Sequence, residues 1–203
     1  DFCANGASDR LLPWVGAVLA EAGITLGQLD AIAFGAGPGS FTGLRLSCSI
    51  AQGLAYGADL RVVPVVTLAA LALTAGSPRV LSSLDARMSE VYSAAYEVDG
   101  DEVMEIVAAS VAPAELLPLP PDGAWKGCGD GFSAYGEALA RRLGDRVVSI
   151  DANIPPLAGA VARLAAVALS RGRGVDAAHA LPIYVREKVA LTTQERLARG
   201  GDK

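Results

Sequence analysis

One glycine-rich segment of the sequence combines residue types that can bind an anion. It follows a short apolar stretch and leads into a helical pattern, so its backbone N–H groups and the first helical turn can hold a negative charge. A tight turn that needs glycine only for its backbone geometry is the alternative, and the sequence leaves both open. The candidate anion-binding residues are Gly37, Pro38, Gly39, Ser40, Thr42, Gly43 and Arg45.

This segment matches none of the familiar catalytic templates. Gly43 is followed by Leu44, where a Walker A loop requires lysine. A dinucleotide fingerprint would need glycine at Ser40 or Thr42, and a nucleophile elbow would need glycine at Pro38. The segment therefore predicts no catalytic residue.

The other candidate residues are few. His179 is the only histidine, so paired-histidine metal motifs cannot form within this sequence, and we predict a surface or capping role for it. Asp85 and Arg87 fall in a predicted hairpin turn, where an ion pair is favoured over catalysis. Tyr184 and Arg186 are either recognition residues or a packed ring and a solvated charge. We predict neither a metal site nor a catalytic centre.

Composition describes a compact globular protein. The 203 residues are 52% hydrophobic and 19% charged, with a net charge of −5. Binding to RNA phosphates needs a basic face, so the acidic balance argues against a protein that binds RNA by itself. Three widely spaced cysteines (Cys3, Cys48 and Cys128) favour a reducing cytosol over a disulfide framework. We predict no membrane span and no signal peptide.

Periodicity predicts two α/β units that position these residues. The first third alternates strands with helices, which indicates a partly parallel sheet, and hairpins open the second unit. We divide the chain into residues 1–77, residues 78–185, and a tail, 186–203, expected to form a helix packing back on the first unit. Helices are predicted at 8–22, 42–56, 68–75, 132–143 and 157–171, and strands at 31–35, 61–66, 79–84, 90–97, 103–111, 124–128 and 146–150, with Ser8 and Thr67 as helix caps.

Four segments together resemble the TsaB family, formerly YeaZ. The longest is residues 31–45, which contains the glycine-rich segment. Residues 11–13 (Leu-Leu-Pro), 85–92 (Asp-Ala-Arg-Met-Ser-Glu-Val-Tyr) and 182–186 (Pro-Ile-Tyr-Val-Arg) agree in order and spacing. The resemblance covers essentially the whole chain and implies an actin-like, sugar-kinase-like ATPase fold of two α/β subdomains. Family members begin with a strand and a D-T-S loop that this sequence lacks, so we expect an N-terminally truncated first subdomain.

The resemblance also implies a role. Such a protein is a non-catalytic scaffold in the bacterial machinery that makes N6-threonylcarbamoyladenosine in tRNA. It pairs with its catalytic paralogue TsaD and with TsaE, forms a homodimer in isolation, and meets tRNA only through the cytoplasmic complex. No intrinsic cofactor is implied, whereas ATP or ADP at the partner interface stays open. A stand-alone nucleotide-binding transferase, a peptidase-like enzyme of the same superfamily and direct tRNA binding remain alternatives.

In the family, helices of the first subdomain contact the partner. The corresponding surface here combines the predicted helices 8–22 and 42–56. Some of their apolar residues must instead face their own sheet, and the sequence does not sort the faces. The candidate interface residues are Leu12, Val15, Leu19, Leu44, Ser47, Cys48, Ile50, Ala51 and Leu54.

Overall fold

The structure, a computed structural model, describes residues 7–186 of the chain. Within that range two sheets are covered by helices. The helices are α1 (Ala7–Ala22), α2 (Phe41–Ala58), α3 (Thr67–Ala75), α4 (Gly131–Leu143) and α5 (Ala158–Ser170). The strands are β1 (Ala31–Gly37), β2 (Arg61–Val66), β3 (Arg79–Asp85), β4 (Glu90–Asp99), β5 (Glu102–Pro113), β6 (Trp125–Cys128) and β7 (Val147–Asp151).

The first sheet is a parallel pair of strands, β1 and β2, between two helical layers. Side chains alternate between the two faces of a strand, so Phe34 packs with α2 while Val63 and Val65 pack on the opposite side. That opposite side is covered by α5 and α3 through Ala160 and Leu73. Both faces of this sheet are therefore buried, which explains the nearly continuous apolar run of β2.

The second sheet has five strands in the order β5-β4-β3-β6-β7. Its first three strands form an antiparallel meander, and β3, β6 and β7 run parallel. Trp125 and Leu139 belong to the core beneath α4, whereas Leu71 of α3 packs on the other face with Cys128. Because α3 contributes to the cores of both sheets, it lies between them.

Most predicted elements are confirmed within a few residues, but two predicted caps are wrong. The first helix already begins at Ala7, and the hydroxyl of Ser8 donates to the Asp9 carboxylate at 3.2 Å. Thr67 lies inside the first turn of α3, where Val66 holds the cap position. Gly23 ends α1 as predicted, in a left-handed conformation with φ of 68°.

The predicted division into units stays a prediction, with one difference at its end. We assigned α5 to the second unit, yet its buried Ala160 and Ala165 pack with Val63 and Val65 of the first sheet. The apolar residues of α5 recur at helical spacing, which predicts the helix but not the sheet that it covers. The helix expected in the tail and the truncation expected at the N-terminus lie outside the described residues.

Candidate functional site

Three of the sequence motifs meet at one place in the fold. The segment 180–186, here called the strap, runs along the glycine-rich segment and reaches the β3–β4 turn. Its Ile183 N–H donates to the carbonyl oxygen of Ala36 at 2.7 Å. Further along, Arg186 pairs with Glu90 at 2.5 Å and donates to the carbonyl oxygen of Ala86 at 3.0 Å. The strap thereby connects the end of β1 with the hairpin of the second sheet.

Between these motifs lies a cleft of about 550 Å³, a volume typical of small-molecule sites. One wall comes from the glycine-rich segment and the start of α2, and the other from the end of β3, the turn that follows it and Asp130 at the start of α4. The lining residues used below are Ser40, Phe41, Asp85, Arg87, Asp130 and Tyr184.

Gly37 is required by the strap. Its φ is 131°, a conformation that side chains rarely adopt, and an added Cβ would collide with the carbonyl oxygen of Ile183. The same Cβ would lie 3.2 Å from Leu44 Cδ1. Close packing of the chain on itself thus accounts for this glycine, which supports the tight-turn alternative.

Two other predicted anion-binding residues already have partners in the protein. Ser40 caps α2, and its hydroxyl accepts from the Gly43 N–H at 3.5 Å. The Arg45 guanidinium lies 3.8 Å from the centre of the Phe41 ring, and its Nε–H donates to the Tyr184 hydroxyl at 3.3 Å. Thr42 is exposed beside them. Anion binding by this segment stays a prediction.

The turn between β3 and β4 has an unusual backbone. Arg87, Met88 and Ser89 are three consecutive non-glycine residues in the left-handed region, with φ of 60°, 56° and 63°. Such residues cost roughly 1–2 kcal/mol each, so the surrounding contacts must hold the turn in place. The turn carries the side chains of Arg87 and Met88 into solvent at the mouth of the cleft.

Asp85 fixes this turn. Its carboxylate accepts from the Arg87 backbone N–H at 2.7 Å and pairs with the Arg87 guanidinium at 2.9 Å. The predicted Asp85–Arg87 ion pair is therefore confirmed. The Tyr135 hydroxyl also donates to Asp85 at 3.1 Å, and partial burial together with that hydrogen bond raises the pKa of Tyr135. Asp130 accepts from the Asp85 N–H at 2.9 Å, which ties the start of α4 to the same turn.

The structure sorts the candidate interface residues into two groups, and three of them are wrong as surface contacts. Leu44, Cys48 and Ala51 are 7%, 5% and 3% exposed, so they belong to the interior. Cys48 donates to the carbonyl oxygen of Ala180, and burial raises its pKa. The α2 helix is apolar on more than one side, and periodicity alone did not separate the side that packs against β1.

The remaining interface residues lie nearer the surface. Leu12 is 54% exposed, and Leu19 is half-buried. An apolar groove of about 810 Å³ separates α1 and α2 from α5 at the edge of β1 that lies away from β2. Four candidate residues line this groove without being buried: Val15, Ser47, Ile50 and Leu54.

Sequence reasoning missed three exposed apolar side chains on the same helices. Tyr56 is 84% exposed, Val18 is 64% exposed and Phe41 is 45% exposed. Tyr56 stands on the same side of α2 as Gly53, three residues earlier, and this helical spacing of a small residue and an aromatic ring was the available signal. The aromatic contact between Phe41 and Tyr184, with ring centres 5.9 Å apart, had no local signal at all.

Other chemistry is sparse in the part of the chain that the structure describes. His179 is exposed at the end of a short 3-10 turn, with its Nδ1 3.8 Å from the Asp176 carboxylate. Residues 7–186 hold no cluster of three or more His, Cys, Asp or Glu side chains that could bind a metal ion. None of the helices within these residues is both long enough and apolar enough to cross a membrane.

Comparison with known proteins gives consistent relatives. The family model described as TsaD, tRNA N6-adenosine threonylcarbamoyltransferase, matches residues 2–190. The chain is 35% identical to the tRNA threonylcarbamoyladenosine biosynthesis protein TsaB of Escherichia coli over 94% of this chain and 85% of that protein. It is 36% identical to TsaB of Haemophilus influenzae over 89% of this chain and 80% of the relative.

Solved structures agree in fold. A Pseudomonas aeruginosa crystal structure, described as an uncharacterized protein with similarity to peptidase YEAZ, superposes with a TM-score of 0.85 at 40% identity. That superposition covers 92% of this chain and 87% of the other. A second structure, YeaZ from Pseudomonas aeruginosa, gives a TM-score of 0.83 at 40% identity over 91% and 87% of the two chains.

Proposed function

The chain belongs to the TsaB family, which has the actin-like ATPase fold, and on that premise we propose that it is a non-catalytic subunit in tRNA threonylcarbamoyladenosine biosynthesis. It acts by pairing with the catalytic paralogue TsaD and with TsaE, and it forms homodimers when alone. The pairing takes place in the cytoplasm, and tRNA is met only through the complex. The exposed apolar side chains of α1 and α2 carry this proposal.

Those side chains fit a protein interface better than a solvent-facing surface. Tyr56 is 84% exposed on α2, and Leu12 and Val18 of α1 are more than half exposed. Exposed aromatic residues frequently dominate the free energy of binding at interfaces. Gly53 and Gly57 next to Tyr56 let another helix approach α2 closely. Leu44, Cys48 and Ala51 contribute indirectly, because their burial fixes how α2 sits on β1.

A charge substitution at Tyr56 tests the pairing. We expect Tyr56→Asp to weaken binding to purified TsaD at least 30-fold, about 2 kcal/mol, while leaving the circular dichroism spectrum unchanged. Leu116→Asp is the matched control, because Leu116 is a 67% exposed apolar residue on the second sheet's side. Calorimetry gives the affinity and light scattering the mass. Unchanged affinity in Tyr56→Asp, Leu12→Asp and Val18→Asp would show that these helices do not form the interface.

An enzyme acting alone is the second candidate, because the matching family model bears a transferase name. The residues described support the non-catalytic proposal, since Asp85, Glu90 and the arginines of the cleft pair with one another. Threonylcarbamoyl transfer to tRNA by this protein in the absence of TsaD would establish the enzyme instead. We also propose that ATP or ADP binds only at the partner interface, so calorimetry should detect nucleotide binding to the TsaD pair and none to the isolated chain.

A further inference from the structure

A second exposed surface lies at the mouth of the cleft, apart from Tyr56. We call it the cleft-mouth patch, and it brings together the glycine-rich segment, the strained turn and the strap. Exposed apolar side chains grouped around one cleft are typical of interaction sites. Its members are Phe41 (45% exposed), Arg45, Met88 (65%), Ile183 (36%) and Tyr184 (47%).

The Arg45 side chain has a fixed orientation in which it can bind an anionic group. The Phe41 ring covers one face of its guanidinium and the Tyr184 hydroxyl accepts from its Nε–H, so the side chain is oriented before any ligand arrives. Within residues 7–186 no carboxylate lies within 4.0 Å of it. Its two terminal amino groups can therefore bind a carboxylate in the bidentate geometry that guanidinium favours.

The strained turn supports the same surface. Asp85 and Arg186 hold the turn from two sides, so that Met88 projects into solvent with its sulfur 3.7 Å from the Arg186 guanidinium. Thioethers adapt to varied apolar partners. A left-handed run of non-glycine residues persists only where its surroundings enforce it, and such runs cluster at functional surfaces.

We propose that the cleft-mouth patch is a docking site for a segment of a partner protein that carries an apolar or aromatic side chain next to a carboxylate. The apolar side chain enters the cleft beside Phe41 and Tyr184, and the carboxylate pairs with Arg45. The cleft volume of about 550 Å³ accommodates a large side chain and its neighbours. Arg, Tyr and Phe with a Met are the residue types enriched in interface cores.

Local charge favours a protein segment over single-stranded RNA. The guanidinium groups of Arg87 and Arg186 already pair with Asp85 and Glu90, which leaves Arg45 as the one unpaired cation among the described residues of the patch and the turn. In addition, the exposed Asp130 carboxylate would repel successive phosphates of an RNA strand. One carboxylate matches this arrangement, whereas RNA binding rests on several phosphate contacts.

The test uses the full chain and rests on the proposed function only for its protein probes, purified TsaD and TsaE. We expect Arg45→Glu to weaken binding of TsaE to the chain, or to the chain paired with TsaD, at least tenfold while TsaD affinity stays within twofold. Arg141→Glu on exposed α4 is the matched control, with no change expected. Unchanged affinity for TsaE, or loss of TsaD affinity equal to that of Tyr56→Asp, would overturn a separate docking site. Weaker tRNA binding with unchanged protein affinities would identify RNA instead and also overturn it.

A second arm is independent of those partners. The peptide acetyl-Ala-Phe-Asp-Ala-amide should shift the NMR resonance of the Arg45 Nε–H, and the matched Phe-Asn peptide should shift it at least fivefold less at equal concentration. If the unchanged chain binds neither TsaD nor TsaE, the proposed function fails, and the peptides alone decide the docking site. Equal shifts with both peptides, or no shift with either, would refute the pairing of Arg45 with a carboxylate.

Discussion

Replacing Gly37 by alanine separates the two interpretations of the glycine-rich segment. The residue has a φ of 131°, and a Cβ there would collide with the Ile183 carbonyl oxygen and crowd Leu44. Backbone strain of this kind costs about 1–3 kcal/mol, and overpacking adds about 1–3 kcal/mol. We therefore expect Gly37→Ala to lower the free energy of unfolding by roughly 2–6 kcal/mol.

Thermal denaturation followed by circular dichroism measures this effect. For a chain of this length each kcal/mol changes the melting temperature by about 2–4 °C, so Gly37→Ala should melt between roughly 4 and 24 °C lower. Gly43→Ala is the matched control in the same segment. Gly43 lies in the first turn of α2, where an added Cβ would meet Ser40 Cβ at an ordinary 3.6 Å, and alanine favours the helix by up to about 1 kcal/mol. This variant should melt at the same temperature or slightly higher.

The result that refutes this reasoning is specific. If Gly37→Ala melts with the unchanged protein, the strap does not pack against Gly37 as described. If it melts normally but loses phosphate or nucleotide binding that the unchanged chain possesses, the glycine serves an anion, and the tight-turn interpretation is wrong.

Three further predictions concern the interior and the turn. Leu44→Asp puts a carboxylate into the buried interior beside Gly37, so we expect loss of the cooperative unfolding transition, whereas Tyr56→Asp keeps it. Burial raises the pKa of Cys128 to about 12 from 9.0. Between these two values the thiol ionises only in the unfolded protein, so it lowers the free energy of unfolding by about 1.4 kcal/mol per pH unit above pH 9. Urea titrations at several pH values measure this slope, and Cys128→Ala should remove the part that the thiol contributes. Asp85→Ala removes the acceptor that holds the strained turn, and we expect a loss of about 1.5–3 kcal/mol, with a loss below 0.5 kcal/mol contradicting its role.

Local patterns predicted the elements but not the N-caps of α1 and α3. The bounds of β2 were predicted without error, because a short apolar run between polar residues leaves little choice. The starts of α1 and α3 were harder, since Ser8 and Thr67 have cap-forming side chains yet lie inside the helices. A cap is decided by where the chain turns, and neighbouring elements set that direction.

The sorting of α2 faces and the convergence of the motifs could not be predicted from local pattern. Leu44 and Ile50 both fit a helical apolar stripe, yet one packs inside and the other lines a groove. Arg45 and Tyr184 are 139 residues apart in sequence, and their hydrogen bond depends on α5 returning the chain to the first sheet. Contacts at such separation follow from topology, which the sequence of one chain does not reveal residue by residue.

Several residues of the motifs around the cleft contact other parts of the same chain. Asp85 holds a turn, Arg186 holds the same turn from the strap, and Gly37 admits the strap. Each of these residues therefore acts on the chain itself, and their combined effect is to fix the position of an exposed surface that includes Arg45 and Met88. A catalytic cleft needs reactive groups that remain free for substrate, whereas a docking surface needs rigid side chains at its rim. The Asp85–Arg87 and Glu90–Arg186 ion pairs and the oriented guanidinium of Arg45 are the features that the proposed docking surface requires.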